Sequence, residues 1–231
     1  MKRLYAKSLF LFRRDLRLED NTGLNFALKS SEFVIPAFIF TPEQIERNPY
    51  RGDSCLQFMI ESLEELEESL KEKHGKLYLF FGKSDEIVAE CIRKHKIDAI
   101  ILNRDYTPYS VHRDQKIEAV CQKLGTPFHF FDDALLHPPE MILKENGTPY
   151  TVFSPFFQKA NKMNVDPPTT TRRWRFFSDK IALAQDDNFL LKVLSKRRSQ
   201  AKGGRSAALK ILRRLDHFEQ YAMKRDLISS K

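Results

Sequence analysis

Residues 77–103 read LYLFFGKSDEIVAECIRKHKIDAIILN, and their punctuation decides the fold. Leu77–Phe81 is a short aromatic and aliphatic run of strand length, closed by Gly82. Ser84, Asp85 and Glu86 then open a segment that carries Ile87, Val88, Cys91 and Ile92 at helical spacing. Ala99–Asn103 is a second strand-like run. A strand, a helix and a strand in about 30 residues is the unit that pairs its two strands in parallel. Working outward, the same alternation recurs. Strand-like runs stand at Ser8–Phe12, Phe33–Phe40 and Phe128–Phe131. Between them, Ser54–Lys73 repeats Leu56, Ile60, Leu63, Leu66 and Leu70 every three or four residues, with Asp53 or Ser54 as its cap. A further helix capped by Ser110 runs through Ile117, Val120, Cys121 and Leu124 to a Gly125 stop. Near-continuous apolar strands alternating with helices predict an α/β fold: a Rossmann-like, doubly wound parallel sheet of five strands, covered on both faces. Ligands of such sheets sit beyond the carboxyl ends of the strands, here around Arg13, Thr41, Lys83 and Asp105.

Composition agrees with a folded protein. Of 231 residues, 42% are hydrophobic, enough for a substantial core, and no run reaches the roughly 18 apolar residues of a membrane span. The opening stretch MKRLYAKSLFLFRRDLR has no cleavage site of small residues, so no signal peptide is read and a cytoplasmic location is expected. Cys55, Cys91 and Cys121 are an odd, scattered set in helical segments and read as buried hydrophobes in a reducing compartment. The charge is unevenly spread. Residues 1–165 hold 23 Lys and Arg against 24 Asp and Glu, whereas residues 166–231 hold 16 against 7. A neutral domain with a basic appendage points to an acidic partner, nucleic acid first among them, or to a basic surface that docks on an acidic domain.

The appendage follows a proline-rich connector with one short helix expected near Phe156–Met163. Arg172-Arg-Trp-Arg-Phe-Phe177 then interleaves cations with aromatics, and a final helix is expected over Ser206–Lys224, with Ile211, Leu215, Phe218 and Ala222 along one side. A single amphipathic helix needs something to pack on. Catalytic signatures are missing: no G-x-G-x-x-G after the first strand, no phosphate-loop motif, no zinc-type spacing among the six histidines and no G-x-S-x-G elbow. The chain reads as one that binds something, not as a self-contained enzyme.

Four segments resemble a known family. Residues 10–21, FLFRRDLRLEDN, resemble the photolyase/cryptochrome signature W/F-x-R-R-D-L-R-x-x-D-N, which opens an antenna domain. Residues 103–114, NRDYTPYSVHRD, are similar to the family's N-x-D-x-x-P-Y-x-x-x-R-D run, and PYTVFSPF at 149–156 is similar to its P-Y-x-V-F/Y-x-P-F run. YAMKRD at 221–226 resembles the Y-x-x-x-R-D/N run that enters the flavin domain. All four stand in family order.

The resemblance implies a light-harvesting chromophore held by residues 1–131, an interdomain connector over 132–202, and over 203–231 the first helix of a flavin domain whose remainder would lie beyond Lys231. The segment is therefore expected to be one part of a longer or split protein. Excitation would pass by dipole coupling to FAD in that second domain, which needs a shaped pocket and no acid, base or nucleophile. Reduced, excited FAD would then donate an electron to a flipped-out pyrimidine dimer. The family-matched positions for a deazaflavin or flavin antenna are Arg13, Phe38, Arg51, Asp105, Tyr106 and Thr107, with Phe38 and Arg51 aligned by spacing alone. Tyr106 and Tyr109 either stack on the chromophore or pack the core, and Arg13 either meets the ligand or joins Arg14, Asp15, Arg17 and Asp20 in internal ion pairing. Where folate-binding relatives carry Asn-Glu this chain has Tyr109 and Ser110, so a deazaflavin or flavin is expected in preference to folate. Tyr221 alone matches a residue that holds FAD, and FAD is expected only in the full-length protein.

The resulting expectation is the antenna half of a deoxyribodipyrimidine photolyase, unable to repair by itself and meeting damaged DNA through the full-length protein. Its last helix would dock on the flavin domain, and its basic third would bind nucleic acid weakly and without sequence preference. It has no membrane partner. Two alternatives are the matching domain of a cryptochrome-type blue-light receptor, and a nucleotide-binding module with a basic nucleic-acid-binding tail.

Overall fold

A computed structural model describes residues 3–46, 52–169, 171, 173–186, 189–193 and 201–224. Five parallel strands, β1 (Tyr5–Leu11), β2 (Ser31–Phe40), β3 (Tyr78–Phe81), β4 (Ala99–Asn103) and β5 (Phe128–Phe131), lie in the order β3-β2-β1-β4-β5. Ser8 of β1 stands opposite Val34 on one side and Ala99 on the other. The chain winds outward from β1 to β3, then returns to the far side of β1 to add β4 and β5. The switch point of the doubly wound sheet therefore falls between β1 and β4.

Period-two alternation sorts the strand side chains onto two faces. Phe10, Val34, Phe38, Leu79 and Ile101 point to one core, and Leu9, Ile35, Phe80, Ile100 and Leu102 to the other. The first core is covered by α1 (Thr22–Ser30) and α3 (Asp53–Lys71), with the single-turn α2 (Pro42–Ile45) between them in sequence. All five leucines and isoleucines of the α3 stripe are buried. The second core is covered by α4 (Ser84–His95) and α5 (Pro108–Leu124) through Val88, Cys91, Ile117 and Cys121.

Two expected caps move. Gly52 precedes α3 without a side-chain cap, and Asp53 lies inside the first turn. Thr107, not Ser110, caps α5, its Oγ1 accepting from the Ser110 amide. Pro108 explains the shift, because a residue without an N–H fits the first helical position. Gly125, at φ 65°, ends α5 as its sequence predicts.

The connector departs from its sequence reading. Its helix, α6, spans Phe153–Ala160 and not Phe156–Met163, with Pro155 tolerated in the first turn. The cationic-aromatic stretch turns its aromatics inward. Phe176 forms a parallel bridge with Val34 at the part of β2 that β3 is too short to cover. The Val34 amide donates to the Arg175 carbonyl at 2.9 Å, and the Phe177 amide donates to the Val34 carbonyl at 2.8 Å. Trp174 stacks on Phe176, whose ring lies so close to Gly75 that a Cβ there would meet it at 2.7 Å. Ile181 is buried against the second core, the Gln185 amide donates to the Leu79 carbonyl on the outer edge of β3, and α7 (Phe189–Val193) returns Leu190 to the first core. The connector thus wraps the open edge of the sheet from one face to the other.

The expected long last helix is interrupted. α8 (Arg205–Leu212) is followed by a 3₁₀ turn at Leu215–Phe218 and by α9 (Tyr221–Lys224). Ile211, Leu212, Leu215 and Phe218 are about half exposed, so among the described residues little tertiary packing sustains a long helix. The start of α8 is held differently: Glu61, Ser62 and Glu65 on α3 accept from the backbone amides of Gly203, Gly204 and Ser206. A Cβ on Gly203 would meet the Phe58 carbonyl oxygen, so only glycine permits this approach.

Candidate functional site: a cavity beside the sheet switch point

Where β1 and β4 end, a buried polar hub fixes the loops that leave the sheet. One carboxyl oxygen of Asp15 accepts from the Arg13 amide at 2.7 Å, and the other accepts from the side-chain amides of Asn103 at 2.5 Å and Asn21 at 3.2 Å. Asn103 also donates to Asn21 and accepts from the Gly23 amide at 2.9 Å. Burial raises the Asp15 pKa above the usual carboxylate value, and the hydrogen bonds it accepts only partly offset that. The first turn of α1 is filled by protein side chains: Asp133 accepts from the Thr22 amide, Asn103 from Gly23 and Asn21 from Leu24. In dinucleotide-binding sheets this helix terminus grips a pyrophosphate. Here its donors are already spent, in keeping with the missing glycine fingerprint.

Beside the hub, on the β1–β2 side, opens a cavity of about 440 Å³. Phe38 is buried at the end of β2, Met59 and Ser62 face in from α3, and Thr107, Tyr109 and Arg113 face in from α5. A pocket of this size, with an apolar lining and a few polar groups, suits a drug-sized ligand. Five of the expected contact residues, Arg13, Phe38, Asp105, Thr107 and Tyr109, line it together. Tyr106 does not. Its ring faces a neighbouring cavity of about 420 Å³ beyond the Arg14–Asp105 ion pair, its hydroxyl donates to Asp132 at 2.6 Å, and the Arg104 guanidinium lies 5.7 Å from its ring centre. Burial, followed by the Asp132 hydrogen bond, pushes the Tyr106 phenol up to about 12. Arg51 lies outside the described residues. Tyr221 opens α9, is exposed and does not line the cavity.

The charged loop is largely internally paired. Arg17 forks onto Asp133, Arg14 pairs with Asp105, and Asp20 accepts from the Thr169 amide. Burial works against ionising Asp105, but the Ser110 hydroxyl, the Arg14 charge and two backbone amides outweigh it and leave the pKa lowered. Arg13 reaches Asp114 at 2.5 Å, and Arg113 reaches the other oxygen of the same carboxylate at 3.1 Å. Burial, then the neighbouring Arg113 charge, lowers the proton affinity of Arg13. Sequence reasoning missed Arg113 and Asp114 as site residues, although the signal was present. Tyr109 and Arg113, like Ser110 and Asp114, are four apart on one helix and so share a face.

Among the described residues, no group of three His, Cys, Asp or Glu side chains is placed to hold a metal ion, and no helix is long and apolar enough to cross a membrane. Cys91 and Cys121 are buried, and burial pushes each thiol up to about 12. Cys55, expected to be buried, is exposed, because it falls outside the α3 apolar stripe. His129 is satisfied by the Tyr5 hydroxyl at 2.8 Å. The arrangement of the described residues can bind and orient a ligand.

Comparison with known proteins matches this fold. An archaeal photolyase from Sulfolobus tokodaii, solved with two FAD molecules and described as implying a novel light-harvesting cofactor, superposes with a TM-score of 0.81 at 38% identity over 90% of this chain and 46% of its own. The deoxyribodipyrimidine photo-lyase of Synechococcus is 30% identical over 72% of this chain and 34% of that protein. Cryptochrome-2 of Arabidopsis thaliana is 31% identical over 73% of this chain and 28% of that protein. The chain thus spans less than half the length of each of these relatives. The DNA photolyase family model matches residues 8–172, and the chain belongs to the DNA photolyase family.

Proposed function

We propose that this chain is the antenna-chromophore-binding half of a deoxyribodipyrimidine photolyase, and that its chromophore is a flavin or deazaflavin. The observation that carries the reading is the 440 Å³ cavity beside the switch point, on its β1–β2 side, where Phe38 and Tyr109 supply ring surfaces and Arg13, Asp105 and Thr107 supply polar edges. Transfer of excitation by dipole coupling asks only for a fixed ring system in a shaped, water-poor pocket, and this pocket carries no reactive group. In this reading FAD and damaged DNA belong to the full-length protein. The half-exposed apolar stripe of Ile211, Leu212, Leu215 and Phe218 supports docking of the last segment on a flavin domain. The basic third would add weak, salt-sensitive nucleic-acid binding, which is limited by the inward turn of Phe176. Likeness to a cryptochrome makes the corresponding domain of a blue-light receptor the second reading. A full-length, FAD-loaded protein that repairs no pyrimidine dimer under blue light would favour it.

The test is titration of the purified chain with riboflavin and with its deazaflavin analogue, following quenching of chromophore fluorescence. One equivalent of either is expected to bind. Met59→Trp, which fills the cavity, should abolish binding while the far-UV circular dichroism is unchanged. If neither ring system binds, or if the filled variant binds as well as the parent, the antenna reading fails.

A further inference from the structure

One wall of the cavity is also the place where the last segment of the chain is fastened. Phe58, Met59 and Ser62 of α3 line the cavity. The same stretch of helix receives residues 203–206. The Gly203 amide donates to Glu61 at 2.6 Å, the Gly204 amide to the Ser62 hydroxyl at 2.9 Å and the Ser206 amide to Glu65 at 2.8 Å. Two residues belong to both structures. Ser62 lines the cavity, donates to the Phe58 carbonyl at 2.7 Å and accepts from Gly204. Phe58 also lines the cavity, and its carbonyl oxygen is the atom that a Cβ on Gly203 would strike.

The contact matters to both partners. Gly204 stands at the N-cap of α8 and has no side chain with which to cap it, so the first amides of that helix are met from α3. Glu61 and Glu65 place negative charge at the positive end of the helix. The Gly203 amide, then the Gln57 side chain, hold the Glu61 carboxyl below its usual value, as a carboxylate in use should be. On the other side, the wall is able to respond. α3 starts at Gly52 without a side-chain cap, and Phe58 is about half exposed, so these turns have little else to stiffen them.

We propose that Glu61, Ser62 and Glu65 form a latch that couples filling of the cavity to seating of the 203–206 turn. A ligand that touches Phe58, Met59 or Ser62 fixes the turn of α3 that carries the three acceptors, and the amides then lose less freedom on docking. Conversely, the seated turn stiffens the wall that the ligand meets. Two sites thus bias one element with a seated and a released state. The ligand half of this coupling rests on the antenna reading; the stiffening of the wall does not.

Trypsin digestion and amide hydrogen exchange of the purified chain, with and without riboflavin, test both halves. The Lys202–Gly203 and Arg205–Ser206 peptide bonds carry two of the latched amides, so cleavage there reports the released state. Saturating riboflavin is expected to slow both cuts about 5-fold or more. Gly203→Ala lies outside the cavity lining and cannot seat, so it should weaken riboflavin binding by the same factor, as reciprocity requires. It should also speed exchange of the α3 amides over 56–62 in the ligand-free chain. Glu61→Ala combined with Glu65→Ala should reproduce both effects, and it decides the matter if alanine at 203 prevents folding. Glu65→Gln, which keeps an acceptor, should retain most of the coupling. Unchanged exchange over 56–62 in the alanine variants would overturn the latch. Riboflavin that binds without slowing either cut, or binds the alanine variants as tightly as the parent, would overturn the coupling and leave the antenna reading intact. Failure of riboflavin to bind would remove the antenna reading and the ligand half together, while exchange over 56–62 would still decide whether the seated turn stiffens the wall.

Discussion

Replacing Asn103 with Asp tests the hub that fixes the site. The substitution changes one NH₂ to an oxygen and keeps size and shape. The retained oxygen still accepts from the Gly23 amide. The new oxygen would face the Asp15 carboxyl at 2.5 Å and the Asn21 side-chain oxygen at 2.8 Å, both acceptors, where Asn103 now donates. Two hydrogen bonds become two repulsions inside a buried cluster, at about 1–3 kcal/mol for each unsatisfied group. With the like charges included, the loss is about 3–5 kcal/mol, a large part of the roughly 5–15 kcal/mol that holds a domain together. The pH dependence carries the stronger test. Two carboxyls in contact raise one folded pKa above the unfolded value of about 3.9, so the protonated pair is the stable one. Stability is therefore retained in acid and lost as pH rises through the raised value, and the penalty should be larger at pH 8 than at about pH 5. Urea unfolding followed by circular dichroism at both pH values measures it. A penalty below about 1 kcal/mol at pH 8, or one independent of pH, would refute the hub as drawn.

Two further outcomes follow from packing and exposure. Gly75→Ala drives a Cβ into the Phe176 ring, so the chain should lose about 1–3 kcal/mol and trypsin should cut faster at Arg173 and Arg175; unchanged digestion would mean that the aromatic bridge does not hold the connector. In the folded chain a thiol reagent should titrate one cysteine quickly, Cys55, with Cys91 and Cys121 reacting only in denaturant. Fast reaction of all three would contradict the burial of the second core.

The sheet was legible because its signals are local. Each strand is a short apolar run ended by a turn residue, and the α3 stripe repeats at the helical period, so strand count, parallel pairing and both helical layers could be read without knowing what packs on what. That Arg13 and Asp105 line the open end of the sheet was legible for the same reason, since each stands two positions beyond the end of a buried strand. Arg113 was hidden because a charged residue inside a helix looks like any solvated one until the opposite wall is known. How Trp174, Phe176 and Phe177 pack was not legible. Interleaved cations and aromatics look alike whether the rings await a nucleic acid or a vacant sheet edge, and only the shortness of β3 beside the ten residues of β2 decides between them. The last helix had a clear stripe but no partner for it, and propensity alone did not keep it in one piece.

The bridge at Val34 also bears on how the sheet is closed to further strands and on where the chain can be cut. A bare run of backbone donors and acceptors beside β2 is a template for another chain of the same kind, and growth along it has no natural end. Phe176 and Gln185 occupy that template at two points, one on each exposed strand, so the connector serves as the terminal plank that keeps the sheet at five strands. A truncation that stops at β5 would keep every strand and every covering helix and still be prone to fibrous aggregation; the smallest version that stays dispersed should extend through Gln185.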